Sequence, residues 1–397
     1  MSNIVPRVEL NARMDRFRER MDEKHPDWEL SVFFGNINLY YFTGTIQNSI
    51  LVIPRDEEPV LWVKRSYERA VLESEFPMIE EMNSFRDAAK KYPVIPDTIY
   101  LETEILPLAH YQRFAKYFPS KEVISLDLDM GMVRAVKSKY ELSLMKRAGK
   151  IHQLVLEEKV PDMLSEGMNE VEFAVSIYDS LIREGHHGTA RIGAFNTEMI
   201  LGQIGFGEST IYPTYFDGPG GCLGMSPAVP LLGNRERLLK KGDLVFVDVG
   251  CGVDGYHTDK TMTYMFREAL PDNVIDEHFR CVEVEKTLAS YLKPGAIPSE
   301  IYDKIMESLD PKFLENFMGF GKRRVKFLGH GIGLLVDEMP VLAHNFNEPL
   351  EEGMTIALEP KKGIKGVGMV GIEDTFIVTP SGGQSVTGSN QGLIMIE

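Results

Sequence analysis

Residues 244–266, LVFVDVGCGVDGYHTDKTMTYMF, restrict the possible folds of this chain more than any other stretch. Asp254-Gly255 is the pair that a two-residue hairpin turn demands, and the runs on either side are β-forming. With those two residues as the loop, Gly250 faces Asp259, and Asp248 lies two positions from Gly250 on the same face. Two carboxylates on one buried face repel each other and are costly to desolvate unless a cation compensates them. The hairpin alone leaves a second reading open, in which one acid belongs to a turn and the other to a solvated strand position.

Further ligands decide between the two. VKFLGHGIG brings His330 to the end of an apolar strand among three glycines, where neighbouring backbone can approach closely. MTIALEP ends a strand at Glu359, and GMVGIEDTFIVT places Glu373 within another. Acidic residues are depleted in such apolar β runs and are rarely buried unpaired. A single histidine of this kind is more often a hydrogen-bonded core residue, so His330 takes its weight from its company.

Four carboxylates and one neutral imidazole carry a formal charge of −4, which two divalent cations balance, leaving a bridging water or hydroxide as the spare ligand. Oxygen-rich ligation with one imidazole favours Mn, Co, Zn or Fe over a thiolate site. Two ions about 3.5–4 Å apart can share and activate one water while one of them polarises a carbonyl. Hydrolysis is the natural chemistry of such a centre.

The chain of 397 residues is long enough for two cores, and 43% apolar with 26% charged residues is the balance of a folded protein. Its 43 basic and 59 acidic residues give a net charge of −16 with no basic run, which argues against nucleic acid and anionic lipid as partners. Cys222, Cys251 and Cys281 lack metal or redox spacing and read as buried, reduced thiols, consistent with a cytoplasmic location. Neither an export signal nor a segment of membrane-spanning length is expected.

Met14, Phe17 and Met21 recur at helical spacing, and Ser49–Ile53 and Val60–Val63 read as strands, so the N-terminal part is mixed α/β. The domain boundary falls near Val133, giving domains 1–133 and 134–397. Ser138 with Glu141 and Asn169 with Glu172 open two helices as capping boxes, the second ending near Gly185. Strands follow to Phe266, then a helix to about Leu292, a shorter helix from Ser299, and closing strands. The order suggests two similar halves, although no fixed-period repeat supports it.

The order and spacing of Asp248, Asp259, His330, Glu359 and Glu373, in the contexts DVG, DKT, GHGIG, LEP and IED, resemble the M24 metallopeptidases of the Xaa-Pro aminopeptidase, prolidase and creatinase group. RFRERMDEKHPDWEL through YYFTGT looks like that family's N-terminal domain, and VRAVKSKYELSLMKRAG like the entry to its catalytic domain. The resemblance implies an α+β architecture, a creatinase-like mixed α/β domain followed by a pita-bread catalytic domain. It implies that Asp248 and Glu373 serve one metal and His330 and Glu359 the other, with Asp259 and Glu373 bridging and Glu359 handling the water proton. It also implies cleavage before proline in short peptides, and a homodimer.

Several positions depart from the family pattern. Asp337 stands where a second histidine is usual, Thr214 where another is, Gly371 where an arginine precedes the last glutamate, and Met262 where DxTRT has arginine. Substrate recognition and protonation of the leaving nitrogen are the functions affected. Asp337, beside Glu338, is a candidate acid in place of the missing imidazole, against a plain surface pair before Pro340. His257, two positions before Asp259 on the same strand face, is a second candidate, against a structural hydrogen bond. Gly366–Gly371 matches GxGxxG but leads into a strand rather than a helix, and the Cys222 segment reads as a Gly/Pro loop. Beside an Xaa-Pro peptidase, two alternatives remain: another hydrolysis or elimination of a small molecule on the same metals, and binding without turnover.

Overall fold

The helical spacing of Met14, Phe17 and Met21 marks the buried face of a helix over Arg7–Lys24 in the computed structural model, which describes residues 3–397. The chain divides into two units, one ending at Arg134 and the other spanning Ala135–Glu397.

In the first unit six strands, β1 (Leu30–Phe33), β2 (Ser49–Pro54), β3 (Val60–Val63), β4 (Ile79–Glu81), β5 (Thr98–Leu101) and β6 (Glu122–Ser125), form one sheet in the order β4-β3-β2-β1-β5-β6. Strand alternation sends Leu30 and Val32 into a cluster with Phe114 and Phe118. Phe33 faces the other way, where Phe17 meets Trp28, Phe33 and Phe42 edge-on. Phe17 is fully buried, worth roughly 1.5–3 kcal/mol for a side chain of this kind.

The second unit begins with two helices, Lys139–Gln153 and Glu170–Glu184. Both expected capping boxes are present, and Gly185 ends the second helix in a left-handed conformation that suits glycine. The first helix continues into a π-helical turn, Leu154–Lys159, which no sequence signal indicated. β7 (Gly202–Phe206), β8 (Leu244–Val253) and β9 (Tyr256–Phe266) follow as an antiparallel set. Helices Asp272–Tyr291 and Pro298–Ser308 come next.

The remaining strands are β10 (Gly319–Phe320), β11 (Arg323–Arg324), β12 (Phe327–Gly331), β13 (Glu338–Ala343), β14 (Thr355–Leu358), β15 (Lys361–Ile364), β16 (Gly368–Gly371), β17 (Asp374–Thr379), β18 (Gly382–Ser385) and β19 (Ile394–Ile396). They build a five-stranded sheet β13-β12-β14-β17-β18 and the two-stranded ribbons β15-β16 and β10-β11, while β19 joins β9 to complete β19-β9-β8-β7. A helix pair followed by antiparallel strands therefore occurs twice.

Which face each acid occupies is decided by the core. Val245, Val247, Val249 and Cys251 of β8, with Met262, Tyr264 and Phe266 of β9, pack against Phe173, Ile177 and Leu181 of the second helix. Period-2 alternation then turns Asp248, Gly250 and Asp259 to the opposite face, toward the five-stranded sheet. The two sheets meet at one bridge, Thr261 to Glu373, reinforced by Thr375, whose hydroxyl accepts from the Asp259 amide at 2.9 Å. Among the described residues no helix is long and apolar enough to cross a membrane.

Candidate metal centre

The β8–β9 register sets Gly250 opposite Asp259 and Asp248 opposite Thr261, and Asp254 and Gly255 take the positive φ values, 50° and 97°, that a tight hairpin turn requires. His330 lies in β12 and pairs with Ala357 of β14. Glu359 follows the last residue of β14, while Glu373 lies between β16 and β17, outside the strand interior expected for it. Gly331 makes its close approach possible, because a Cβ there would lie 2.0 Å from the Met339 carbonyl oxygen.

All five side chains line one small cleft together with Gln203, Phe216, Asp217 and Asp337. The His330 Nδ1–H donates to the Gly331 carbonyl at 3.0 Å, and Nε2 faces Glu359 Oε1 at 3.6 Å and Glu373 Oε1 at 3.8 Å. Ligand atoms of Asp259, His330 and Glu373 lie within 4.8 Å of one another. Glu373 Oε1 is buried without a hydrogen-bond partner among the described residues. A buried carboxylate oxygen without a hydrogen-bond partner, facing an imidazole nitrogen, fits a divalent ion.

The charges bear this out. Burial, followed by the neighbouring Asp248, raises the Asp259 carboxyl to about 7. Burial also raises Glu359 and Glu373, most strongly Glu373. His330 is raised as well, because Asp337, Glu359 and Asp259 outweigh the opposing effect of burial. Crowded acids that resist ionisation in this way are relieved by a cation.

One cation is already in place, and sequence reasoning missed it. Lys361, 0% exposed, donates from Nζ to Glu373 Oε2 at 2.6 Å, Asp248 Oδ2 at 2.9 Å and Glu359 Oε2 at 3.0 Å. Burial alone would lower its pKa, but the three carboxylates raise it well above the ordinary value. Its signal was present in LEPKKG, where a lysine follows Glu359 into another largely buried β run.

Asp337 lines the cleft at intermediate exposure, its Oδ1 3.8 Å from His330 Nδ1, and burial raises its carboxyl against the opposing pull of His330. Its neighbour Glu338 is buried and ion-paired with Lys137 at 3.2 Å, so these two acids do not form a surface pair. His257 shares the face of Asp259 but sits about 7 Å nearer the turn at strand spacing. Its Nδ1 lies 3.0 Å from the Gly333 carbonyl and its Nε2 3.2 Å from His187 Nε2, and burial lowers its pKa to about 4.

The departures from the family pattern have physical settings. Met262 packs in the core on the helix side of β9, so no polar group from that position reaches the cleft. Gly371 has φ +122°, and a Cβ there would lie 2.4 Å from the Pro360 carbonyl oxygen. Thr214 belongs to the loop that brings Phe216, Asp217 and Gly218 to the cleft. The Arg323 guanidinium holds that loop by donating to the carbonyls of Thr214 (2.9 Å), Phe216 (2.5 Å), Gly218 (2.7 Å) and Gly220 (2.8 Å). Sequence gave no hint of this anchor. Gly368–Gly371 of the GxGxxG match form a strand, and Cys222, Cys251 and Cys281 are buried free thiols.

Comparison with known proteins agrees with this geometry. The sequence model of Metallopeptidase family M24 matches residues 143–380, and that of the Creatinase/Prolidase N-terminal domain matches residues 13–136. The Xaa-Pro dipeptidase of Pyrococcus furiosus is 25% identical over 97% of this chain and 100% of its own. An uncharacterized peptidase of Staphylococcus aureus strain USA300 is 26% identical over 88% of this chain and 92% of its own. In three dimensions the prolidase from Pyrococcus horikoshii OT3 superposes with a TM-score of 0.78 at 23% identity, covering 97% of this chain and 100% of that one. The X-Pro aminopeptidase from Thermotoga maritima MSB8 does so with 0.74 at 20% identity, covering 93% and 97%. The architecture is the expected α+β one, a creatinase-type N-terminal domain before a pita-bread catalytic domain. The matched region contains both sheets' acids and His330, and the chain belongs to metallopeptidase family M24.

Proposed function

We propose that this chain is a metal-dependent peptidase acting on short peptides, with the bond before proline as its target. The observation that carries the reading is the convergence of Asp259, His330 and Glu373 within ligand distance, with one Glu373 oxygen unpaired. Relatives named as Xaa-Pro dipeptidases over the full length support the substrate class.

A divalent ion held by these residues would polarise the scissile carbonyl and lower the pKa of a water. Manganese, cobalt, zinc or iron suits the oxygen-rich ligands. Five such ligands alone would balance two ions, and Lys361 alters that count. Glu359, whose Oε1 faces the imidazole, accepts the proton of the attacking water. Asp337, at the rim of the same cleft and raised by burial, delivers a proton to the departing nitrogen. His257 in this reading orients its strand end through Gly333 and His187 and touches no substrate. A homodimer in a reducing cytoplasm completes the proposal, supported by the family and by three buried free thiols.

Thr214, Asp337, Gly371 and Met262 favour a second reading, in which the same centre hydrolyses or eliminates from a different small molecule. Metal analysis of the purified protein, with a panel of Xaa-Pro di- and tripeptides in the presence of Mn, Co or Zn, separates the two. Released proline or N-terminal amino acid is the expected result. Bound metal without cleavage of any Xaa-Pro peptide would favour the second reading, and absence of bound metal would leave only a binding role.

A further inference from the structure

The Lys361 ammonium touches three of the five residues that the family pattern assigns to metal. We propose that Lys361 is a built-in replacement for one of the two divalent ions, so that the centre takes a single ion per chain, held on the His330 side. The proposal rests on the metallopeptidase reading only for the identity of the ligands.

The carboxylate oxygens divide into two sets. Glu359 Oε2, Glu373 Oε2 and Asp248 Oδ2 converge on the lysine nitrogen, matching its three N–H donors. Glu359 Oε1 and Glu373 Oε1 face His330 Nε2 instead. Each glutamate therefore gives one oxygen to the ammonium and the other to the imidazole. Asp248 and Glu359, both on the ammonium, lie outside the trio of Asp259, His330 and Glu373 whose ligand atoms lie within 4.8 Å of one another. The ammonium stands between Asp248 and Glu373, the two residues that the resemblance assigns to one metal, and also reaches Glu359.

Space and charge point the same way. The free volume of the cleft is about 20 Å³. That is room for about one water-sized sphere beside the ammonium. A divalent ion bound to the same oxygens would lie within a few ångströms of the ammonium nitrogen, where like charges in a buried site repel strongly. A fully buried lysine is itself costly unless compensated, and here the compensating acids are the ligands a metal would otherwise use.

The backbone is fitted to this lysine. Lys361 of β15 pairs directly with Gly371 of β16. A Cβ on Gly371 would lie 2.6 Å from the Lys361 Cα and 3.2 Å from its Cβ. The position where the family usually carries a cation is thus bare, and a cation rises from the opposite strand of the same rung.

The test is a count. Wild-type protein stripped with chelator, reloaded with Mn2+ and desalted should carry one equivalent per chain by elemental analysis, with the paramagnetic resonance of an isolated ion. Lys361→Gly and Lys361→Met should carry two, doubling the count, with the spectrum of a coupled pair. Two equivalents in the wild type, none in the wild type, or one in a folded Lys361 variant would each overturn the proposal. Should both variants fail to fold, anomalous scattering from Mn2+-loaded wild-type crystals decides. One peak beside His330 Nε2 with Lys361 still on its three carboxylates supports it, and a peak between Asp248 and Glu359 overturns it. None of these readouts depends on cleavage, so a protein that binds one ion and cleaves no Xaa-Pro peptide defeats the peptidase reading alone.

Discussion

At the scale of single residues, His330 and Glu373 carry the metal argument, since His330 Nε2 faces a Glu373 oxygen that has no hydrogen-bond partner among the described residues. His330→Ala should lower Mn2+ affinity by roughly tenfold or more, read by isothermal titration; unchanged affinity would remove His330 from the ligand set. Asp337→Ala should leave metal content intact and reduce turnover at least about tenfold on any peptide the protein cleaves. Equal rates for variant and wild type would return Asp337 to a passive rim position. His257 gives a pH signature. Its folded pKa of about 4 lies below the ordinary value of 6.5, so the unfolded chain binds this proton first and stability falls as pH drops from 6.5 toward 4. His257→Asn should flatten that part of the stability profile by something on the order of 3 kcal/mol. Parallel profiles for the two proteins would show that the ring is not held neutral. The acids and His330 were legible because charged groups inside apolar β runs have few explanations. Lys361 breaks the same rule but was overlooked, because a lysine suggests a solvated position and only the fold shows it meeting three carboxylates.

At the scale of elements, hairpins and caps were the most readable. Asp254-Gly255 determined the pairing of Gly250 with Asp259 over a strand pair of more than twenty residues, because a two-residue turn leaves one register. Ser138 and Asn169 located two helix starts through a local hydrogen-bond pattern that needs no tertiary context. What could not be read was long-range. The Arg323 anchor joins β11 to carbonyls about a hundred positions earlier, and backbone acceptors have no sequence signature. Arg323→Ala should free the Thr214–Gly220 loop, raising KM on the order of tenfold at unchanged metal content and opening the loop to limited proteolysis. A loop as resistant as that of the wild type would argue that other contacts hold it. In the β15–β16 ribbon, Gly371→Ala should cost more than about 1 kcal/mol, seen as a lower melting temperature, because the new methyl meets the Pro360 carbonyl at positive φ. An unshifted melt would mean that the ribbon yields easily.

At the scale of the whole molecule, light scattering should give a mass near twice 44.9 kDa if the chain forms the proposed homodimer, and a monomer mass would withdraw that part of the reading. The Thr261–Glu373 bridge has a further consequence. It is the rung where the hairpin sheet meets the five-stranded sheet, and Asp248 and Asp259 lie on one side of it while His330 and Glu359 lie on the other. A bound ion would therefore act as a clasp between two sheets, adding about 2.7 kcal/mol at a hundredfold excess over its dissociation constant. Occupancy becomes a record of tertiary completeness: a chain trapped with one sheet formed and the other open offers no place for the ion, however much helix it already contains.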